Sequence, residues 1–357
     1  MRALVTGANG LIGANLLRAL LHDGHHVNAL VRQESDLTHI ANLPVTFVRG
    51  DVLDADSLDA AMAGCDLVFH TAVHFAYWGH SEDELARTAV QGSRNVLQAA
   101  GRAGIGRVVM TSSSVTLGAS YAPEVRDEQR VAEAGTQETA YVRAKIAQEQ
   151  EALAEAAGLS IALVLACPTM SVGPFGAALG PSNAVVTSYL ADPLRLSWAG
   201  GCNIVSVRDV ARGHLILAEK GVPGERYVLG SENLTWRQVH ERIAALAGVP
   251  PPGPQASATT CYWIALAEEA RAAISDHQPL ATRGQAGMIG RHYWYSHARA
   301  AALGYAPRPA TDALAEAIAW LAAGPHVSRE TRMGMRLSRA VHAARAGIAA
   351  DEQRMAA

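Results

Sequence analysis

The chain has 357 residues, 49% of them apolar and 18% charged, with a net charge of −3. That composition belongs to a globular protein with a large core, and the length allows one large domain or one and a half. No basic excess points to nucleic acid, and no acidic block to a disordered tail. The opening "MRALVTGANG" has an apolar run too short and too glycine-rich for a signal peptide. No run of about 18 apolar residues predicts a transmembrane helix. The four cysteines, Cys65, Cys167, Cys202 and Cys261, are scattered and lack metal-ligand spacing. They predict a reduced, cytoplasmic setting and no metal site.

The first half alternates. Residues 3–7, 26–32, 45–51, 66–72, 107–113 and 160–167 are short apolar or β-branched runs that read as strands. Helical periodicity fills 11–24, 57–65, 82–104 and 139–158, with a polar helical stretch expected before residue 45. Buried strands alternating with helices predict βαβ units and a doubly wound parallel sheet. The rhythm breaks over 168–202. Later, 203–221 reads as a strand leading into a helix, 225–230 as a strand, and 235–248 as a helix with Thr235 as N-cap. The stretch 249–255 reads as a rigid linker. The expected division is a nucleotide-binding domain over 1–167, with 203–221 returning to it, and a smaller substrate-binding part over 168–324. A tail follows over 325–357. Its Arg329, Arg332, Arg336 and Arg339 have the spacing of one helical face. That face reads either as solvated or as an interaction surface.

"TGANGLIG" places Gly7, Gly10 and Gly13 between the first strand and the first helix. Such glycines allow a tight turn, close backbone approach to a pyrophosphate and close helix packing, with the helix N-terminus facing the anion. The expected cofactor contacts here are Gly7, Asn9, Gly10, Leu11, Ile12 and Gly13. Arg32 ends the second strand, where an NAD site wants an acid. A guanidinium suits a 2′-phosphate, so NADP(H) is favoured. An arginine stacked over adenine in an NAD(H) site, or a plain surface arginine, remains open. Asp51, followed by Val52, is a candidate for the adenine amino group and equally a strand-end cap.

Tyr141 and Lys145 stand one helical turn apart. A free tyrosine is a poor acid near neutrality, and a neighbouring ammonium is expected to lower its pKa. The pair can then exchange a proton with a substrate oxygen. "VVMTSSSVTLG" supplies hydroxyls at the C-terminal end of a strand, where ligands bind in such sheets.

The motifs "TGANGLIG", "GDVLD", "VFHTAV", "VVMTSSSVTLG", "YVRAK", "PTMSVGP" and "VSVRDVARGHLIL" together resemble an extended short-chain dehydrogenase/reductase of the NAD-dependent epimerase/dehydratase type. Within it the chain is similar to dihydroflavonol 4-reductase-like members and to hopanoid-associated sugar epimerase-like reductases. The resemblance covers about residues 1–325. It implies a catalytic Ser113, Tyr141 and Lys145, with Ser113 chosen over Ser112 and Ser114 by counting back from Gly118. Tyr141 would be the general acid, Ser113 would orient the carbonyl, and Lys145 would bind the nicotinamide ribose. Thr71, Ala72, Val73, Pro168 and Thr169 would line the cofactor. Two departures stand out: Ala89 where relatives carry asparagine, and Cys167 before Pro168.

The leading expectation is an NADPH-dependent reductase of a ketone or aldehyde. The alternatives are a sugar epimerase or dehydratase, for which Arg195 and Arg208 could hold a diphosphate, a 3β-hydroxysteroid dehydrogenase-like enzyme, and a non-enzymatic NADP-binding redox sensor. Tyr77, Trp78, Ser114, Met170 and Tyr189 are candidates for the substrate pocket, with His80, Trp198 and Trp263 further aromatic or basic possibilities. Aromatic walls suit a flat or polycyclic ketone. Relatives implied by the resemblance pair through helices 82–104 and 139–157, so a homodimer is expected, with Ala144, Ala147, Leu153 and Ala154 at the contact.

Overall fold

A computed structural model describes residues 1–72, 81–132, 139–275, 279 and 281–356. The first half runs β1 (Arg2–Thr6), α1 (Leu11–His22), β2 (His26–Val31), β3 (Thr46–Arg49), α2 (Ala55–Met62), β4 (Leu67–His70), α3 (Glu82–Arg102), β5 (Arg107–Thr111), α4 (Ala140–Gly158) and β6 (Ala162–Pro168). There follow β7 (Met170–Val172), α5 (Pro181–Ala191), β8 (Gly201–Ser206), α6 (Val207–Lys220), β9 (Arg226–Leu229), β10 (Glu232–Thr235) and α7 (Trp236–Ala247). The last part holds α8 (Ala258–Ala273), α9 (Arg283–Ala286), β11 (His292–Tyr293), α10 (Ala298–Ala301), α11 (Ala310–Ala323), α12 (Arg329–Met333) and α13 (Arg339–Ala356).

The main sheet has seven parallel strands in the order β3-β2-β1-β4-β5-β6-β9. Order reverses between β1 and β4, which opens a crevice at the strand C-termini where ligands bind in doubly wound sheets. Strands such as β4 are buried along their whole length because helices cover both faces. On one face α1 packs on α6 and on the other α3 packs on α4. The expected parallel α/β architecture is present. Residues 33–44, expected to be partly helical, are turns instead. Asn9 Nδ2 donates to Asp36 O (3.2 Å) and Arg18 Nη2 to His39 O (2.6 Å), and these contacts hold that stretch in an open path.

Within 203–221 the chain divides. Its strand, β8, joins a second sheet with β7, β10 and β11, while its helix, α6, lies against α1. The junction is Ser206. Its hydroxyl accepts from Arg208 N and Arg308 Nη2 (2.7 Å). Thr235 caps α7 in a reciprocal capping box with Gln238, as its position predicts.

The tail is anchored rather than free: Val327 is 4% exposed, Val341 0% and Ile348 6%. Helix α13 packs on α11 and α7. The four tail arginines do not share one helical face, because residues 334–338 are not helical. There Arg336 N and Ser338 N donate to the last carbonyls of α7, Ala247 O and Leu246 O (both 2.9 Å). Val341→Asp would bury an unpaired carboxylate and should release α13. Limited proteolysis would then cut within 334–357 while the sheet domain stays resistant; an unchanged digest would contradict this anchoring role.

Candidate active site

β1 ends at Thr6 and the chain turns at Gly7, whose φ is +66°, in the left-handed region. A Cβ on Gly7 would lie 2.8 Å from Ala72 backbone atoms, and one on Gly13 would lie 2.1 Å from Gly7 O. The loop therefore sits pressed between the end of β4 and the first turn of α1. Gly10 precedes α1 without a side-chain cap, and the first turn, with Leu11 and Ile12, carries no acid. The first N–H groups of α1 thus remain available for an anion, which is what a dinucleotide pyrophosphate requires. Asn9 ties the loop outward through Asp36 O, and its own carbonyl accepts from Ala177 N (3.3 Å).

Arg32 lies at the rim. Its Nε pairs with Glu34 (3.1 Å), its N–H donates to Ser35 Oγ (3.0 Å), and its carbonyl accepts from Arg49 Nη1 (2.6 Å). Asp51 behaves as a turn residue: Oδ1 accepts from Leu53 N (2.8 Å), and its N–H donates to Ser57 Oγ (3.1 Å). Val52 O accepts from Asn95 Nδ2 on α3 (2.9 Å). Thr71 Oγ1 donates to Thr6 O (2.7 Å) and Ala72 N to Thr6 Oγ1 (3.3 Å), closing β4 onto β1. Pro168 ends β6, and Thr169 is held by Leu229 O (3.1 Å) and Asn203 Oδ1 (2.8 Å). Val73, Tyr77, Trp78 and His80 lie outside the described residues.

Ser113, Tyr141 and Lys145 come together at the C-terminal end of β5. Thr139 caps α4 and starts the helix one residue before Tyr141. Ser113 caps the short 3₁₀ turn Ser114–Leu117, and its hydroxyl bonds the Tyr141 phenol. Tyr141 is 7% exposed and Lys145 1%. The expectation that Lys145 lowers the Tyr141 pKa is not met. Burial pushes the phenol up to about 12, and Ser113 is the group that opposes the rise. Lys145 turns its Nζ to Thr111 O (2.9 Å) and Gln148 Oε1 (2.8 Å). Burial lowers its pKa to about 7, with Glu149 the main group opposing the fall.

A buried hydrogen-bonded row continues from Lys145. Gln148 Nε2 donates to Ser93 Oγ (2.7 Å), and His70 bridges Ser93 (3.0 Å) and Thr6 (2.8 Å). It joins α4, α3, β4 and β1. Sequence reading passed over Gln148, Ser93 and His70. For Gln148 a signal existed, its position three residues after Lys145. Ala89 packs against Leu85 and Ala144, an apolar contact between α3 and α4.

The candidate substrate residues fare unevenly. Ser114 is buried beside the Ser113 turn, and Met170 packs against the main core. Tyr189 is a packing residue. Its ring stacks on His240 (4.8 Å between centroids, 9° between planes), and its hydroxyl donates to Pro250 O (3.1 Å). Trp198 likewise packs against Trp236 and His240. Trp263 is 61% exposed on α8. An apolar cluster of Leu117, Val228, Tyr293 and Tyr295, with Val115 and Met288, adjoins the Ser113 turn.

Residues 3–230 match the NAD dependent epimerase/dehydratase family. The chain is 33% identical over 325 residues to a putative dihydroflavonol 4-reductase from Synechocystis sp., covering 88% of this chain and 93% of that one. It is 34% identical over 255 residues to sterol demethylase protein B from Methylococcus capsulatus, covering 71% and 76%. The crystal structure of gox2253 superimposes with a TM-score of 0.80 at 32% identity, over 91% of this chain and 99% of that one. The chain belongs to the NAD dependent epimerase/dehydratase family, the extended short-chain dehydrogenases/reductases, and so to the enzymes that carry out NAD(P)-dependent chemistry at carbonyl and alcohol groups.

Gly7→Ala would place a side chain in a left-handed conformation against Ala72. It should cost about 1–3 kcal/mol of stability in urea unfolding and weaken dinucleotide binding by about tenfold or more in a fluorescence titration. Wild-type values for both would refute this reading of the loop.

Proposed function

We propose that the protein is an NADPH-dependent reductase of ketones or aldehydes, with Tyr141 as the proton donor. The observation that carries this is a buried Tyr141 bonded to Ser113, with the Lys145 amine one helical turn along, in a chain whose α1 starts without a side-chain cap. Nicotinamide, when bound, would supply the hydride. With its pKa near 12, Tyr141 is protonated at any working pH and is ready to give that proton to a carbonyl oxygen that gains negative charge. The Ser113 hydroxyl, bonded to the Tyr141 phenol, would bond the same oxygen. Lys145 has three N–H donors when charged and uses two on Thr111 and Gln148, which leaves one for a ribose hydroxyl.

Arg32, with Ser35 and Arg49 around it, supports NADP(H) over NAD(H); its pair with Glu34 is solvent-exposed on both sides and so weak enough to exchange for a phosphate. Relatives named for dihydroflavonol and sterol chemistry support a substrate with an aromatic or polycyclic body. The nucleotide-sugar reading is weakened because its expected diphosphate ligands are engaged. Arg195 bonds Tyr189 O, and Arg208 pairs with Glu316 and Asp351. A homodimer through α3 and α4 and a cytoplasmic setting belong to the same proposal. Ala144 is spent within the monomer, which leaves Ala147 and Ala154 on the outer side.

Cofactor oxidation tests the reading, NADPH against NADH, with aryl and polycyclic ketones, aldehydes and nucleotide sugars. NADPH with an apolar ketone should turn over, and Tyr141→Phe should lose about 10²–10⁴-fold in kcat. Turnover of nucleotide sugars alone, or an unaffected Phe variant, would refute it. Arg32→Ala should reduce the NADPH preference by about tenfold or more. The pH profile has a set sign: Lys145 is charged below its pKa of about 7, so kcat/KM for reduction should fall as pH rises through that value.

A further inference from the structure

Glu149 follows Lys145 by one turn of α4 and is 6% exposed. Its Oε1 accepts from Ser112 Oγ, from Thr116 Oγ1 at 2.9 Å and from Cys167 Sγ at 3.8 Å. Ser112 and Thr116 bracket Ser113, and Thr116 Oγ1 also lies 2.9 Å from Ser113 O. Its Oε2 faces Arg226 Nη1 at 3.7 Å, and Arg226 in turn is anchored on Glu128 O (2.7 Å) and Arg130 O (3.1 Å). A buried carboxylate thus sits behind both the serine turn and the lysine, with no solvent to screen it. Cys167, the departure noted before Pro168, is one of its donors. Its thiol is pushed well above the ordinary range by burial and then by Glu149, so it stays protonated.

We propose that Glu149 is a positioning residue for the reduction, holding the turn that carries Ser113 and keeping the proton on Lys145 through its negative charge. The proposal rests on the reductase reading given above. Its geometry has two parts. The hydroxyls of Ser112 and Thr116 converge on one carboxylate oxygen and fix the path of the backbone between them. The carboxylate, one helical turn from Lys145 on the same face, is the main compensating anion for an ammonium that the surrounding carbonyl and amide solvate only as dipoles.

Other groups around Lys145 do not supply that charge. Tyr141 on α4 is neutral. His70 on β4 is driven down to about 3, by burial and then by Lys145, and His214 on α6, which bonds Thr111 Oγ1 at 2.8 Å, is driven by burial to about 4. Both stay neutral in the working range. Cys167 on β6, which after Glu149 is the second group opposing the fall of the Lys145 pKa, stays a thiol, and Arg226 on β9 is a cation that faces Glu149 at 3.7 Å.

The sequence makes the test direct, because Lys145 and Lys220 are its two lysines. Lysine labelled with ¹³C at Cε gives two side-chain titrations, assigned with a Lys220→Arg variant. Glu149→Gln keeps an acceptor for the hydroxyls and removes the charge. It should lower the Lys145 midpoint by about 1 unit and leave Lys220 unchanged. The alkaline limb of kcat/KM should move down by the same amount, roughly a tenfold loss above the midpoint, while kcat/KM at acid pH stays near wild type. An unchanged Lys145 midpoint, or an equal loss of activity at every pH, would overturn the proposal. Arg226→Met should move the midpoint upward and serves as the deciding variant if Glu149→Gln does not fold; no upward shift would also count against the proposal. The NMR titration needs no turnover. Its failure with an active enzyme therefore rejects the role of Glu149 alone, whereas an inactive wild type rejects the reductase reading.

Discussion

An ammonium group lies at the centre of this molecule at 1% exposure, and the packing around it is organised to tolerate that. A charge taken out of water must be solvated by fixed dipoles, paired, or discharged. Lys145 meets all three conditions in part. The Thr111 carbonyl at the end of β5 and the Gln148 amide on its own helix provide dipoles, Glu149 provides an anion, and the pKa falls to about 7. Each of these groups needs a position of its own. Gln148 requires Ser93, Ser93 requires His70, and His70 requires Thr6 at the root of the glycine loop. The glycine-loop end of the crevice and the end that holds Ser113 and Tyr141 are thereby joined by side chains, in addition to the sheet.

Much of this was legible in the sequence because parallel strands covered on both faces are apolar runs, and helices between them show their own period. The glycines of the first turn were legible for a steric reason: at Gly7 the neighbouring strand leaves no room for a Cβ. Ser113, Tyr141 and Lys145 were legible by spacing and resemblance. Ser93 and His70 were not, since nothing local marks a serine in mid-helix or a histidine at a strand end as members of one row. The sense of the Tyr141 shift was also beyond the sequence. Spacing places a lysine nearby, but which way its nitrogen turns is decided by Thr111 and Gln148, and how dry the phenol is depends on burial.

Other misreadings have tertiary causes. Arginines at helical spacing in the tail suggested one face, yet the backbone between them is drawn straight by the open carbonyls at the end of α7. Aromatic residues of the later chain suggested substrate walls, but Tyr189 is buried against His240, and the half-buried Trp198 packs on the same histidine. Hydrophobic rings serve a core or a pocket equally well, and composition cannot tell which.

Ser206 carries a mechanical consequence. β8 belongs to the small sheet and α6 to the layer that flanks the nucleotide-binding sheet, and they meet at this residue without a loop. Arg308 grips the corner through Ser206, Asp209 and Glu316 together. The two parts therefore lack the slack of a linker-joined pair of lobes. A turn of the small sheet about this corner would have to break the contacts of Arg308 with Ser206, Asp209 and Glu316, so Arg308 couples the two parts.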